Sequence, residues 1–153
     1  MRQDSLNINY EIFDLDELSE KEKELIDNAV KATEKSYSPY SNFKVGCAVR
    51  LDNGEIVLGA NQENIAYPSG LCAERTALFS AGMKDNSIEC MAIAAFDEKN
   101  NPATAYPCGA CRQVMAESQK RQEKPIKLLL LDKDKRVLKI DNLNDLLPFG
   151  FEF

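Results

Sequence analysis

The stretch Ile88-Glu89-Cys90-Met91-Ala92-Ile93-Ala94-Ala95-Phe96 carries a single charge and shows no alternation of polar and apolar residues. It is far shorter than the ~18 residues of a membrane-spanning helix, and β-branched and small residues dominate it. Such a run suits a central strand hidden on both faces, and a strand hidden on both faces needs cover above and below. That requirement, more than any other feature, directs the chain toward a layered α/β fold.

The flanking sequence supplies the cover. Ser19-Glu20-Lys21-Glu22 has the form of a capping box, and Leu18, Leu25, Ala29 and Ala32 recur at helical spacing, which predicts a helix from Ser19 to Ser36. Phe43 to Leu51 reads as a strand, and Asp52-Asn53-Gly54 turns it as a hairpin into Glu55 to Gly59. Leu71 to Ala81 reads as a helix closed by Gly82, and Pro107 opens another that runs to Gln119. Ile126 to Leu131 is a second buried strand, turned by Asp132 to Arg136 into Val137 to Ile140, with a short helix at Leu143 to Leu147. Ser5 to Phe13 alternates, with Leu6, Ile8, Tyr10 and Ile12 on one side, as a half-buried strand does. No repeat or linker divides the 153 residues, so one domain is expected, with residues 1–14 as an added N-terminal strand.

The 19 basic and 25 acidic residues give a net charge of −6, which repels a phosphate backbone, so no nucleic-acid partner is expected. No membrane partner is expected either. The polar start Met1-Arg2-Gln3-Asp4-Ser5 lacks the form of a secretory leader, which points to the cytoplasm and to reduced thiols. The chain has no histidine, which excludes Ser-His-Asp and Cys-His nucleophile systems and every His-based zinc or iron site. Any metal must be held by Cys, Asp or Glu.

Five cysteines are present. Cys108-Gly109-Ala110-Cys111 has the two-residue gap that lets two thiolates share one tetrahedral ion, at a helix start where backbone N–H groups favour negative sulfur. The same gap also fits a redox dithiol, but a third cysteine, Cys72, stands at another predicted helix start. Three thiolates leave a fourth zinc position open, as catalytic sites do. Glu74 lies about 200° around the helix from Cys72, off the metal face but able to approach a group at the open position. Arg75 could donate to a thiolate and offset the excess sulfur charge. Cys47 and Cys90 sit inside apolar strands and read as inert core thiols.

Cys72-Ala73-Glu74-Arg75-Thr76-Ala77, followed by Pro107-Cys108-Gly109-Ala110-Cys111-Arg112-Gln113 and preceded by Asn61-Gln62-Glu63-Asn64, resembles the small, three-cysteine, homotetrameric cytidine deaminases. The resemblance covers Ser36 to Phe151. It implies a three-layer α/β/α sandwich around a mixed, mainly five-stranded sheet, and one zinc per chain on Cys72, Cys108 and Cys111. It implies Glu74 as the proton shuttle, with Arg75 and Gln113 supporting the metal site. It further implies that Asn61 and Glu63 bind the ribose 3′-hydroxyl, Phe43 packs on the nucleoside, the Ala73 N–H meets the base carbonyl, and Phe151 reaches the ring in a neighbouring subunit. The implied reaction is hydrolytic deamination of free cytidine and 2′-deoxycytidine in pyrimidine salvage. The Ser5 to Phe13 segment and Tyr106, where the family often has serine, depart from the pattern. A nucleoside-antibiotic deaminase, a polynucleotide-editing enzyme and a non-catalytic zinc module are the competing readings.

Overall fold

The computed structural model describes residues 1–151. It contains seven strands, β1 (Glu11–Asp14), β2 (Lys44–Leu51), β3 (Ile56–Ala60), β4 (Ile88–Phe96), β5 (Pro102–Ala103), β6 (Lys127–Leu131) and β7 (Arg136–Ile140). Three helices accompany them, α1 (Glu20–Ala32), α2 (Ala73–Ala81) and α3 (Gly109–Gln122). All strands join one sheet in the order β1-β7-β6-β4-β2-β3, with β5 paired to β4. β4 and β6 run parallel, and every other pairing is antiparallel. Parallel neighbours need a long crossover, and α3 lies within it.

The apolar run of β4 is central, as its composition demands. Met91 and Ile93 face a cluster with Ala73, Ala77 and Leu78 of α2 and Met115 of α3. Cys90, Ala92 and Ala94 face the opposite cluster, with Leu25, Ile26 and Ala29 of α1. Helices therefore cover both faces in three layers, and β3-β2-β4-β6-β7 form the expected five-stranded body.

Two glycines set how closely the layers approach. A Cβ on Gly46 of β2 would lie 2.1 Å from the Ala29 carbonyl oxygen of α1. On the other face, a Cβ on Gly59 of β3 would lie 2.4 Å from Ala77 N and 2.5 Å from Ala73 O of α2. Both helices rest directly on the sheet backbone, which only glycine permits.

The start signal of α1 forms as expected. The Ser19 hydroxyl accepts from the Glu22 N–H at 3.4 Å, while the Glu22 carboxylate accepts from the Ser19 N–H at 3.0 Å. Burial alone would raise Glu22, but the Ser19 hydroxyl, which donates to its carboxylate at 2.6 Å, the Ser19 N–H and the nearby Lys139 ammonium hold it below the usual carboxylate range. The predicted helix to Ser36 is α-helical only to Ala32 and finishes as a 3-10 turn over Thr33–Lys35. In the β2–β3 hairpin, Gly54 takes φ 87° and donates to Leu51 at 2.9 Å.

Four expectations need correction. Only Glu11–Asp14 of the N-terminal segment is strand, and Leu6, Ile8, Tyr10 and Ile12 are exposed rather than half-buried. α2 begins at Ala73, because Leu71 is held in an extended bridge with Gln62. Pro107 precedes the N-cap Cys108 instead of occupying the first turn of α3, and the Leu143 helix is a 3-10 turn over Leu143–Leu146. The two-residue β5 carried no readable pattern.

Candidate active site

Both helices on the Gly59 side begin with a cysteine. Cys72 is the N-cap of α2, Cys108 is the N-cap of α3, and Cys111 follows one turn into α3. The segment before α2 is pinned by backbone pairing. Gln62 exchanges N–H···O bonds of 2.8 and 2.9 Å with Leu71, while Tyr37 accepts from the Glu63 N–H at 2.8 Å. This places residues 61–63 beside the α2 N-terminus.

The three sulfurs converge. Cys72 Sγ is 3.9 Å from Cys108 Sγ, Cys108 Sγ is 3.4 Å from Cys111 Sγ, and all three lie within 4.8 Å of one another. Tetrahedral zinc with Zn–S bonds of ~2.3 Å requires sulfur separations of about 3.8 Å. The donor set thus fits zinc in spacing and in chemistry, and among the described residues it is the one such group. The Cys72 thiol is lowered to about 5 by the hydrogen bond it accepts from Cys111 and, against the cost of burial, by Arg75, whose Nη2 is 3.6 Å away. Cys111 is correspondingly raised, since it donates to that thiolate and is buried. A metal ion at this site would displace the thiol protons that remain.

Glu74 is only 4% exposed. Burial raises its carboxyl above the usual carboxylate range. It lines a cleft of about 720 Å³ together with Cys72, Cys108, Arg75 and Ala73. Phe43, Asn61 and Glu63 line the same cleft.

Asn61 and Glu63 are also hinges of the cleft wall. The Asn61 side chain accepts from Ser36 Oγ at 2.6 Å and from the Val45 N–H at 2.9 Å, and donates to the Phe43 carbonyl at 2.9 Å. Glu63 accepts from the Ser41 hydroxyl and from the Tyr40 N–H at 2.9 Å. The Ser41 hydroxyl bond is the main reason that Glu63 lies below the usual carboxylate range. Ser36, Tyr40 and Ser41 have no motif in the sequence that marks them as partners of Asn61 and Glu63. Tyr67 and Thr104 in the lining likewise have no motif to mark them.

Two expected residues lie elsewhere. Gln113 and Phe151 line a separate groove along α3 with Gln119 and Asn142, and Phe151 is 72% exposed. The chain does not bring either to its own cysteine cleft. Arg112 instead ties the α3 start to the C-terminal turn, donating to Pro107 O at 2.9 Å and Leu146 O at 3.2 Å. Cys47 and Cys90 lie in the core, where burial raises Cys47 well above the usual thiol range and Cys90 to about 12. Neither is a reactive thiol.

Residues 19–124 match the cytidine and deoxycytidylate deaminase zinc-binding region. The chain is 47% identical over 93 residues to a cytidine deaminase of Halalkalibacterium halodurans, covering 61% of this chain and 68% of that protein. It is 37% identical over 124 residues to a cytidine deaminase of Mycobacterium tuberculosis, covering 81% and 84%. The crystal structure of a cytidine deaminase from Burkholderia pseudomallei superposes with a TM-score of 0.71 at 38% identity, covering 84% of this chain and 97% of that one. The chain belongs to the cytidine and deoxycytidylate deaminase family, a family of hydrolytic enzymes. With three converging thiols and no histidine, its metal-site residues are those of the three-cysteine class of cytidine deaminases.

Proposed function

We propose that residues 1–153 form one zinc-dependent deaminase domain that converts free cytidine and 2′-deoxycytidine to uridine and 2′-deoxyuridine, releasing ammonia. The observation that carries this reading is the buried Glu74 beside three sulfurs spaced for one zinc, in a cleft whose far wall is Phe43, Asn61 and Glu63. Zinc, one per chain on Cys72, Cys108 and Cys111, would supply the Lewis acidity that makes water a nucleophile near neutral pH.

The chain's own residues do the rest. Glu74 accepts one proton of the attacking water and delivers it to ring N3 as C4 becomes tetrahedral, then takes the proton of the new C4 hydroxyl and passes it to the amine, which leaves as ammonia as the C4 carbonyl forms. The N–H of Ala73, at the first position of α2, holds the base carbonyl, and the carbonyl of Tyr106 orients the amino group. Asn61 and Glu63 recognise the ribose 3′-hydroxyl, and Phe43 packs against the nucleoside. A longer 3′ substituent would strip these polar groups of their partner, which selects free nucleosides over polynucleotides. Arg75 offsets the sulfur charge.

A cytoplasmic salvage role and a homotetramer complete the reading. Among the described residues no helix is long and apolar enough to cross a membrane. The exposed Phe79, Met83, Phe149 and Phe151 are the kind of surface that a neighbouring subunit covers. The test is ammonia release from cytidine by the zinc-loaded protein, set against the Glu74→Gln variant. That variant should keep zinc and fold yet lose at least the ~10²–10⁴-fold usual for a general acid–base group. Retention of most of kcat would overturn the assignment, and turnover of single-stranded DNA with steep salt dependence would replace the substrate class.

A further inference from the structure

The N-terminal segment fits no role in the deaminase site, yet its pattern is regular. Residues 1–10 have no regular secondary structure, and among the described residues β1 pairs only with β7, which leaves its other edge open. Within β1, Phe13 faces the α1 side with its partner Val137, which puts Ile12 on the opposite face. Leu6, Ile8 and Tyr10 continue the Ile12 row at a period of two, and all four are between 43% and 58% exposed. An open edge carrying an uncovered apolar row is a template for another strand.

We propose that residues 2–14 pair antiparallel with the same segment of a second copy, about a twofold axis at Ile8. In that register the segment complements itself at its centre and ends. On the apolar face Ile8 meets Ile8, Leu6 meets Tyr10, Arg2 meets Asp14 as an opposite-charge pair, and Asp4 meets Ile12 as the one mismatch. On the other face Asn7 meets Asn9, Ser5 meets Glu11 and Gln3 meets Phe13. The neighbouring registers that keep like faces together lose the charge match. An axis at Asn9 pairs Leu6 with Ile12 and Ile8 with Tyr10 but sets Asp4 against Asp14 at both ends, and one at Asn7 sets Asp4 against Tyr10 and Arg2 against Ile12. A slip to an axis between residues puts apolar side chains opposite polar ones throughout.

A second copy supplies this pattern by symmetry, whereas any other partner would have to match both the apolar row and the Arg2 and Asp14 charges. An isolated two-stranded ribbon is marginal in water. Here β1 joins the ribbon to the sheet of each copy, so the pairing extends two existing sheets and closes the open edge of both.

Single-cysteine variants of the full, zinc-loaded chain test the register. Ile8→Cys places two thiols with Cα atoms about 4.5–5.5 Å apart, inside the range for a disulfide. Asp4→Cys places them eight residues apart along the ribbon, roughly 27 Å. Both substitutions are on exposed side chains far along the sheet from the cleft, so zinc content and cytidine turnover should match the parent and report intact folding. Under mild oxidation, with the parent protein setting the background from native thiols, Ile8→Cys should form covalent dimer at least tenfold faster than Asp4→Cys. A smaller ratio overturns the proposal, whether both variants cross-link alike, as random encounters or another partner would give, or neither does.

Discussion

Replacing Gly59 by alanine adds one methyl group where β3 touches α2. On the present backbone that carbon lies 2.4 Å from Ala77 N, 2.5 Å from Ala73 O and 2.8 Å from Ala77 Cβ. Non-bonded contacts normally settle near 3.5–4.0 Å, so α2 must retreat by roughly 1 Å, backbone against backbone, with no rotamer to absorb the change. Overpacking of this kind costs about 1–3 kcal/mol, or roughly 2–12 °C in melting temperature for a chain of this size. The retreat also carries Cys72 and Glu74, since Ala73 opens α2 between them. A displacement of about 1 Å at reacting groups costs on the order of 10²-fold in rate. Thermal unfolding, a chelator competition for zinc and ammonia release from cytidine should therefore all worsen together in Gly59→Ala. Gly109→Ala is the comparator, because its added carbon meets nothing within 4 Å, and alanine in the first turn of α3 should leave the melting temperature unchanged or slightly higher. A Gly59→Ala protein with parental melting and parental turnover would refute the argument that backbone contact sets the position of the site.

Three further outcomes are expected. Ser41→Ala removes the hydroxyl that orients Glu63, so KM for cytidine should rise several-fold with little change in kcat, and the rise should be absent with 3′-deoxycytidine; steady-state kinetics on both nucleosides decides it. Glu22→Gln should cost about 1 kcal/mol or less at neutral pH. Because the folded-state pKa of Glu22 is lowered, its contribution is present above the ordinary carboxylate pKa and is lost as pH falls through the folded value, so urea unfolding should show the two proteins converging in acid; a gap that widened there would contradict the sign. Truncation after Pro148, which removes Phe149 and Phe151, should lower oligomeric mass and activity together, as read by sedimentation and turnover, and a fully active truncated monomer would exclude a shared site.

The parts of this fold legible in the sequence are those where one residue type has one physical use. The β4 run, the Ser19 capping box and the Asp52-Asn53-Gly54 hairpin each match the structure to within a residue or two. The cysteine spacing likewise picked out the three sulfurs that the fold brings together, because no histidine competed for the role. What the sequence hid was decided by partners distant along the chain. Alternation at Leu6 to Ile12 signals a strand face but not what covers it, and among the described residues nothing buries it. The bond from Ser41 to Glu63 spans 22 positions, so no local pattern announces it. Gln113 shares a motif with Cys111 yet lines a different groove, since neighbours on a helix diverge by about 100° per residue.

Cys72 and Cys108 are 36 positions apart, at the starts of two helices, with β4 threaded between them. An ion held by both is therefore a rivet through the fold as well as a reagent. Because the folded site gathers sulfurs that the open chain holds apart, such an ion stabilises the native state by its binding free energy, about 2.7 kcal/mol at a free-ion concentration 100 times Kd. Set against total stabilities of ~5–15 kcal/mol, a copy that loses its zinc gives up a large part of its hold on the native state along with its chemistry. Metal-starved chains would then be the first to open and be cleared by proteolysis, and the surviving folded population would be enriched in loaded enzyme without any dedicated sensor.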